Sequence, residues 1–356
     1  MAYTDIDDPS AYFQTVLYTG DNANTKAITF DGNSDLDLSS GGLWWGKTRS
    51  TARNHQWIDS IRGVTKTLQS NVTNAELSSD SSGFLASFNS NGFTTQKGSY
   101  DNGNVNMSGR TYVNWCWKAG TSFTNDASGT GIGSIDSAGS VSTDAGFSII
   151  TYTGTGSNGT IAHGLGVKPN IIINKTRDTT AQMWSFYHSS LGATKHLGLD
   201  RNNAEDTGSA YYQNTEPTST VFSVGSESAT NHNGAAMIAY CFAEKQGYSK
   251  FGSFVSNNTT NNAFTYCGFK PALVLLKSTT STNDWMIFDN KRDPFNVTQH
   301  KLYPNGSDAE ATTENDLDFL SNGFKLRAAH GANTFIFMAF AENPFTTSTG
   351  VPATAR

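Results

Sequence analysis

The stretches FSIITYTG (147–154), IIINKTR (171–177) and MIAYCFAEK (237–245) decide the fold. In the first, Phe147, Ile149 and Thr151 point one way and Ser148, Ile150 and Tyr152 the other, because strand side chains alternate with a period of two. The second carries a short apolar run, Ile171 to Ile173, between Pro169 and Lys175, the pattern of a strand buried on both faces. No segment keeps helical spacing over three turns. Only SLGATKHLGLD (190–200) and NAELSSD (74–80) are candidates for one short helix each. Asx-Gly pairs such as Asp31-Gly32, Asn91-Gly92 and Asn322-Gly323 supply the positive φ of tight hairpin turns.

The same stretches recur on both sides. FQTVLYTG (13–20) and FGSFVSNN (251–258) match the first, LWWGKTR (43–49) and LVLLKST (273–279) the second, and YVNWCWKAG (112–120) and FIFMAFAEN (335–343) the third. Between the second and third lie a Trp (Trp57, Trp184, Trp285) and a Phe-led strand: GFTT (92–95), VFSV (221–224), GFKL (323–326). Lys47 to Lys175, Trp57 to Trp184 and Trp117 to Phe242 are 128, 127 and 125 residues apart; the next copy follows at 102, 101 and 98. Landmarks in fixed order at near-constant offset establish a triplication. Cys116 and Cys241 share a slot that Ala339 fills in the third copy, which marks both thiols as packing groups.

The expected architecture is all-β, three tandem β-sandwich-like modules of about 100 residues, each with about seven strands. The division is 1–10 as an N-terminal docking segment, 11–118, 146–246 and 247–345 as the modules, and 346–356 as a tail. Residues 119–145 are rich in Gly, Ser and Thr and read as a linker or flattened surface loop. The short junction at 245–250 makes copies two and three a rigid pair.

Composition narrows the function. Only 36% of the 356 residues are hydrophobic and 15% charged, yet 12% are aromatic, too many for a disordered chain. The net charge is −6, with Lys and Arg scattered singly, so no basic stripe serves nucleic acid. Cys116, Cys241 and Cys267 form no CxxC or zinc-like spacing and read as reduced thilos of a protein that folds in a cytosol. MAYTDIDDPS lacks the apolar core of a signal peptide, and no apolar run of about 18 residues spans a membrane.

HGLGVKPNIIINKTR (163–177), YHSSLGATKHLGLD (187–200), GYSKFGSF (247–254), GFKPALVLLK (268–277) and LDFLSNGFKL (317–326), with YFQTVLYTG (12–20) and VNWCWKAG (113–120), resemble a repeat module of virion-associated proteins of tailed phages, especially marine ones. The resemblance covers roughly residues 11–345. It implies a place in the particle, structural or tail-fibre-like, and no catalytic activity or cofactor. Copy one departs from the pattern, with GLWWGKT lacking the usual preceding Pro and DGNSDLDLSSGG (31–42) in place of an ordinary loop.

The candidate site residues divide into two sets. Lys47, Lys175 and Lys277 end buried strands; their repetition points to a fold requirement, with the stem on apolar surface and the head reaching water. Trp57, Trp184 and Trp285 read as one core anchor per module. Trp44 and Trp45 are interface candidates, because strand neighbours face opposite ways and one should turn outward or toward another module. Asp5, Asp7 and Asp8 are further interface candidates, in an end segment able to order on a partner. With Asp35 and Asp37 they are also acidic clusters weighed for calcium, without EF-hand spacing. Of the seven histidines, His163 and His188 are the candidates for a base, but no ligand pair or nucleophile elbow accompanies them.

These readings lead to a non-catalytic virion protein: an accessory fibre, tail appendage or capsid-decorating protein, assembled in the host cytoplasm. Its expected partners are other virion proteins and copies of itself, in a trimer, without membrane insertion. Two alternatives stand beside it. One is a carbohydrate-binding adhesin for host surface glycan, using YYQN (211–214) and NHN (231–233). The other is a glycan depolymerase, for which no carboxylate pair is assignable.

Overall fold

The computed structural model describes residues 4–179 and 181–352. It is 42% strand and 4% helix, with antiparallel sheets forming several sandwich-like units. Each module has a large and a small sheet. In every large sheet the closing strand (Thr111–Lys118, Ala236–Phe242, Thr334–Pro344) lies between the opening strand (Phe13–Thr19, Phe147–Thr153, Ser249–Val255) and the Lys-bearing strand (Gly42–Thr48, Ile171–Thr176, Phe269–Ser278). A fourth strand follows on the far side of the Lys-bearing one: Gln56–Asp59, Ser185–His188 or Met286–Asp289. The Phe-led strands lie in the small sheets, and Phe93, Phe222 and Phe324 fill the three sandwich interiors.

The other face of each large sheet explains why these strands are buried on both sides. Leu43, Trp45, Trp115 and Trp117 from the first module, Ile171, Ile173, Tyr240 and Phe242 from the second, and Leu273, Leu275, Met338 and Phe340 from the third form one shared core. Alternate residues point back into the separate sandwiches: Trp44 and Cys116, Ile172 and Cys241, Val274 and Ala339. Pairing of Trp44 with Cys116, Ile172 with Cys241 and Val274 with Ala339 places the two thiols and the alanine in one slot. The three sheets thus face a common axis, where the remaining void is only about 10 Å³. All three modules pack together, not only the second and third.

Register corrects two landmarks. Phe13 and Phe147 pair with Trp117 and Phe242, but the residue opposite Phe340 is Ser249; Phe251 sits two positions further along. Likewise Trp57 pairs with Trp45 as Phe186 pairs with Ile173 and Ile287 with Leu275. Two residues earlier, it is His55 that corresponds to Trp184 and Trp285.

Residues 119–145 are not a linker. Thr121–Asn125 and Ser137–Ser142 form a hairpin that pairs with Phe147–Thr153 and extends the second module's large sheet. The small residues serve close approach: a Cβ on Gly139 would sit 2.0 Å from the Ile149 carbonyl oxygen. The proposed helices at 74–80 and 190–200 are also absent. Lys195–Gly198 is a strand that places Leu197 in the shared core, with Leu199 just beyond it, and Gly192 turns the chain at φ +75° before it. Among the described residues the α-helices are single turns at Ala127–Thr130, Ser209–Tyr212 and Ser228–Asn231.

Candidate functional site

The residues that repeat most faithfully meet at the three junctions between modules. Lys47, Lys175 and Lys277 are at most 1% exposed. Their heads do not reach water. Lys175 Nζ donates to the Thr73 carbonyl of the first module at 3.1 Å. Lys277 Nζ donates to Asn202 of the second at 3.2 Å, and Lys47 Nζ to Ser307 of the third at 3.3 Å. The contacts run in a closed cycle, so the modules form a ring. Burial lowers each ammonium to about 8, against the opposing pull of nearby carboxylates.

The tryptophans follow the same cycle. Trp184 Nε1 donates to the Gln69 carbonyl at 2.9 Å and Trp285 Nε1 to Gly198 at 2.8 Å. In the first module His55 takes this place, accepting from Trp45 Nε1 at 2.9 Å. Burial and the nearby Lys47 hold His55 neutral, well below its ordinary range.

A further set escaped the sequence reading. Asp59 and Arg62 form a fully buried pair with Nε to Oδ2 at 2.5 Å. Arg62 also reaches Glu76, which binds Arg177 of the second module at 3.0 Å. Tyr240 of that module donates its hydroxyl to Asp59 at 2.8 Å. The third module repeats the arrangement against the first. Asp289 pairs with Arg292, Arg292 reaches Glu310, Glu310 binds Arg49 at 2.7 Å, and Trp115 Nε1 donates to Asp289 at 3.0 Å. The signal was present as DSIR (59–62) and DNKR (289–292) at corresponding positions. The second module breaks that pattern with HSSL (188–191), which hid it.

The junction between modules two and three accordingly differs. His188 stands where Asp59 and Asp289 stand, and Leu191 where the arginines do. Met338 occupies the position of Tyr240 and Trp115 and offers no N–H or O–H donor. His188 Nδ1 accepts from Ser190 N at 3.0 Å, and Nε2 lies 3.2 Å from the Phe337 carbonyl. Facing a carbonyl, the ring must donate through Nε2, which fixes its tautomer. Burial lowers its pKa to about 4.

The interface candidates are engaged within the chain itself. Trp44 lies in the first sandwich, and Trp45 turns the other way, toward the neighbouring modules in the shared core; neither reaches the surface. The backbone N–H of Asp5 donates to the Gln246 carbonyl at 3.2 Å. Asp7 accepts from Ser348 N at 2.7 Å, and Asp8 caps the turn Pro9–Ala11 and holds Ser34. From residue 4 onward the N-terminal segment therefore docks on its own chain, with Ile6 in the shared core; residues 1–3 lie outside the described residues. Asp37 is engaged with Ser39. Among the described residues no three His, Cys, Asp or Glu side chains converge as a metal site requires. No helix among them is long and apolar enough to cross a membrane.

His163 is buried, accepting from Leu165 N at 3.2 Å and facing the Thr218 carbonyl, and burial lowers it to about 4. Tyr212 of YYQN is buried against Ser185 and Asn174, Tyr211 stacks on His196 at 3.5 Å, and Asn231 of NHN ties Ser157 to Gly225. Tyr211, Tyr212 and Asn231 are thus engaged within the second module. Among the described residues the exposed aromatics lie elsewhere, at Tyr100, Phe264, Tyr266, Phe295 and Phe345.

One family profile, described as a domain of unknown function (DUF7483), matches residues 8–344. The chain belongs to this family. The match runs across all three copies. Comparison with curated proteins finds no match.

Proposed function

We propose that this chain is a non-catalytic structural protein of a tailed-phage particle, acting as an accessory fibre, tail appendage or decorating protein. The observation that carries the reading is the ring itself. The strongest charged groups, Asp59, Arg62, Glu76, Asp289, Arg292 and Glu310, are consumed in joining modules, and the repeated lysines with them. Such investment in internal cohesion suits a rigid spacer that carries surface loops. The place in the particle is supported by the resemblance of the repeated stretches to virion-associated modules.

Contacts with other particle proteins, and with further copies of the chain, fall to the outer faces, because the inner faces are used up within the ring. The test is mass spectrometry of purified particles followed by cryo-electron microscopy. A stoichiometric band and ring-shaped density at a fixed position are expected. Absence of the chain from particles that retain infectivity sinks the proposal.

A further inference from the structure

We propose that the cleft between modules two and three binds an acidic sugar ring of a polysaccharide. The cleft has a volume of about 440 Å³, within the usual range for small ligands. Two of its walls are aromatic. Tyr266, on the edge strand Phe264–Tyr266, is 60% exposed, and Phe345, just beyond the closing strand, is 41% exposed. Phe264 stands beside Tyr266 with ring centroids 6.5 Å apart. A side chain of this size left in water beside a concave polar surface is a feature of recognition sites more than of a scaffold.

The opposite wall carries charge. Glu244 pairs with Lys250 at 2.8 Å, and its second oxygen accepts from Phe251 N. Lys245 lines the same cleft and has no ion-pair partner among the described residues. A pyranose ring matches this combination. Its apolar C–H face lies on an aromatic ring, and its hydroxyls both donate and accept along a wall that offers carboxylate and ammonium. One negative and two positive side chains leave the cleft one charge positive, so a ring bearing a carboxylate fits better than a neutral one.

The cleft is also tied together by hydrogen bonds. Its floor turn, Gln246–Gly247, is held by Thr4 Oγ1 and Asp5 N on the Gln246 carbonyl, and the Phe345 N–H donates to the Gly268 carbonyl at 3.2 Å. The neighbouring cleft between modules three and one makes the contrast. It holds about 310 Å³ but presents no exposed aromatic, and Gln14 spends its amide on Ser10, Ser34 and Gly32. The inference does not require a place in a phage particle.

The test is calorimetry and saturation-transfer NMR on the whole chain with hexamers of galacturonate and of glucose. Galacturonate is expected to bind at roughly millimolar affinity and more tightly than glucose. Tyr266→Ala should weaken it about tenfold with the melting temperature unchanged, and Tyr266→Phe should restore it. Lys245→Met should erase the preference for galacturonate. The proposal is overturned if neither hexamer binds, if both bind equally, or if binding survives Tyr266→Ala. It is equally overturned if the chain self-associates through this face and Tyr266→Ala abolishes that association.

Discussion

Two of the three junctions are joined by buried ion networks and the third is not. Where modules one and two meet, and where three and one meet, an Asp–Arg pair extends through a Glu to an Arg of the next module. Where two and three meet, His188, Leu191 and Met338 hold those positions and Glu205 turns to Lys195 instead. The backbone contact nonetheless persists in all three: Glu76 N to Arg177 O, Glu310 N to Arg49 O, and Glu205 N to Thr279 O. The ring geometry is thus set by the sheets and lysine contacts, and the charge network is one of two ways to fill the space. A buried ion pair is interchangeable with a packed apolar set only as a whole, because removing one partner strands the other.

The largest expected effect breaks that symmetry. Arg62→Leu leaves Asp59 buried with only the Tyr240 hydroxyl and backbone amides, and should cost about 3–5 kcal/mol in denaturant unfolding. Asp59→His, Arg62→Leu and Tyr240→Met together copy the second junction into the first and should recover most of that loss. A triple variant no more stable than Arg62→Leu contradicts the interchange.

The histidine junction should respond to acid. His188 has a folded pKa of about 4, below its ordinary 6.5. Between those values the unfolded chain holds a proton that the folded one excludes, so stability falls as pH drops from 6.5 toward 4. The full shift is worth about 3 kcal/mol. His55, His163 and His196 are lowered too, so the parent curve sums several groups. Comparison of His188→Asn with the parent by thermal melting across this range isolates the one residue; parallel curves contradict its buried, neutral state.

A smaller effect is expected at the lysines, which are equivalent at all three junctions. Lys175→Met leaves the Thr73 and Gln182 carbonyls without their donor, at about 1–3 kcal/mol, partly offset because a desolvated ammonium is also removed. From pH 8 to 9 the unfolded chain keeps protons that these lysines release when folded, so parent stability rises there. Above about 9 the buried thiols, whose folded pKa values are raised, oppose that gain. Denaturant midpoints at pH 8 and 9 should show a smaller rise in Lys175→Met than in the parent; equal rises would place the ammonium in water.

The triplication, the all-β class and the buried strands were legible because each rests on a local pattern: alternation, short apolar runs, Asx-Gly turns. The ring was not, since a strand apolar on both faces looks the same whether its second face meets a helix, a sheet or another module. The lysines were expected to hold their heads in water, and instead reach carbonyls that lie about 75 to 260 residues away in sequence. Trp57 misled because an indole two positions along from His55 imitates the landmark. The hairpin at 121–142 was hidden by composition: Gly139 and Ser140 look like linker residues, but the neighbouring backbone leaves no room for a side chain at Gly139, and the Ser140 hydroxyl bonds the Gly120 backbone.

The central claim is that three modules form one cooperative body through a shared core. Cys116, Cys241 and Cys267 provide native reporters, each buried in the sandwich interior of a different module. Pulsed thiol labelling across a denaturant series, read by peptide mass spectrometry, follows all three in the unmodified chain. The account predicts that the thiols become reactive at one common midpoint. Three separate midpoints, with one module opening while the others stay protected, would contradict it.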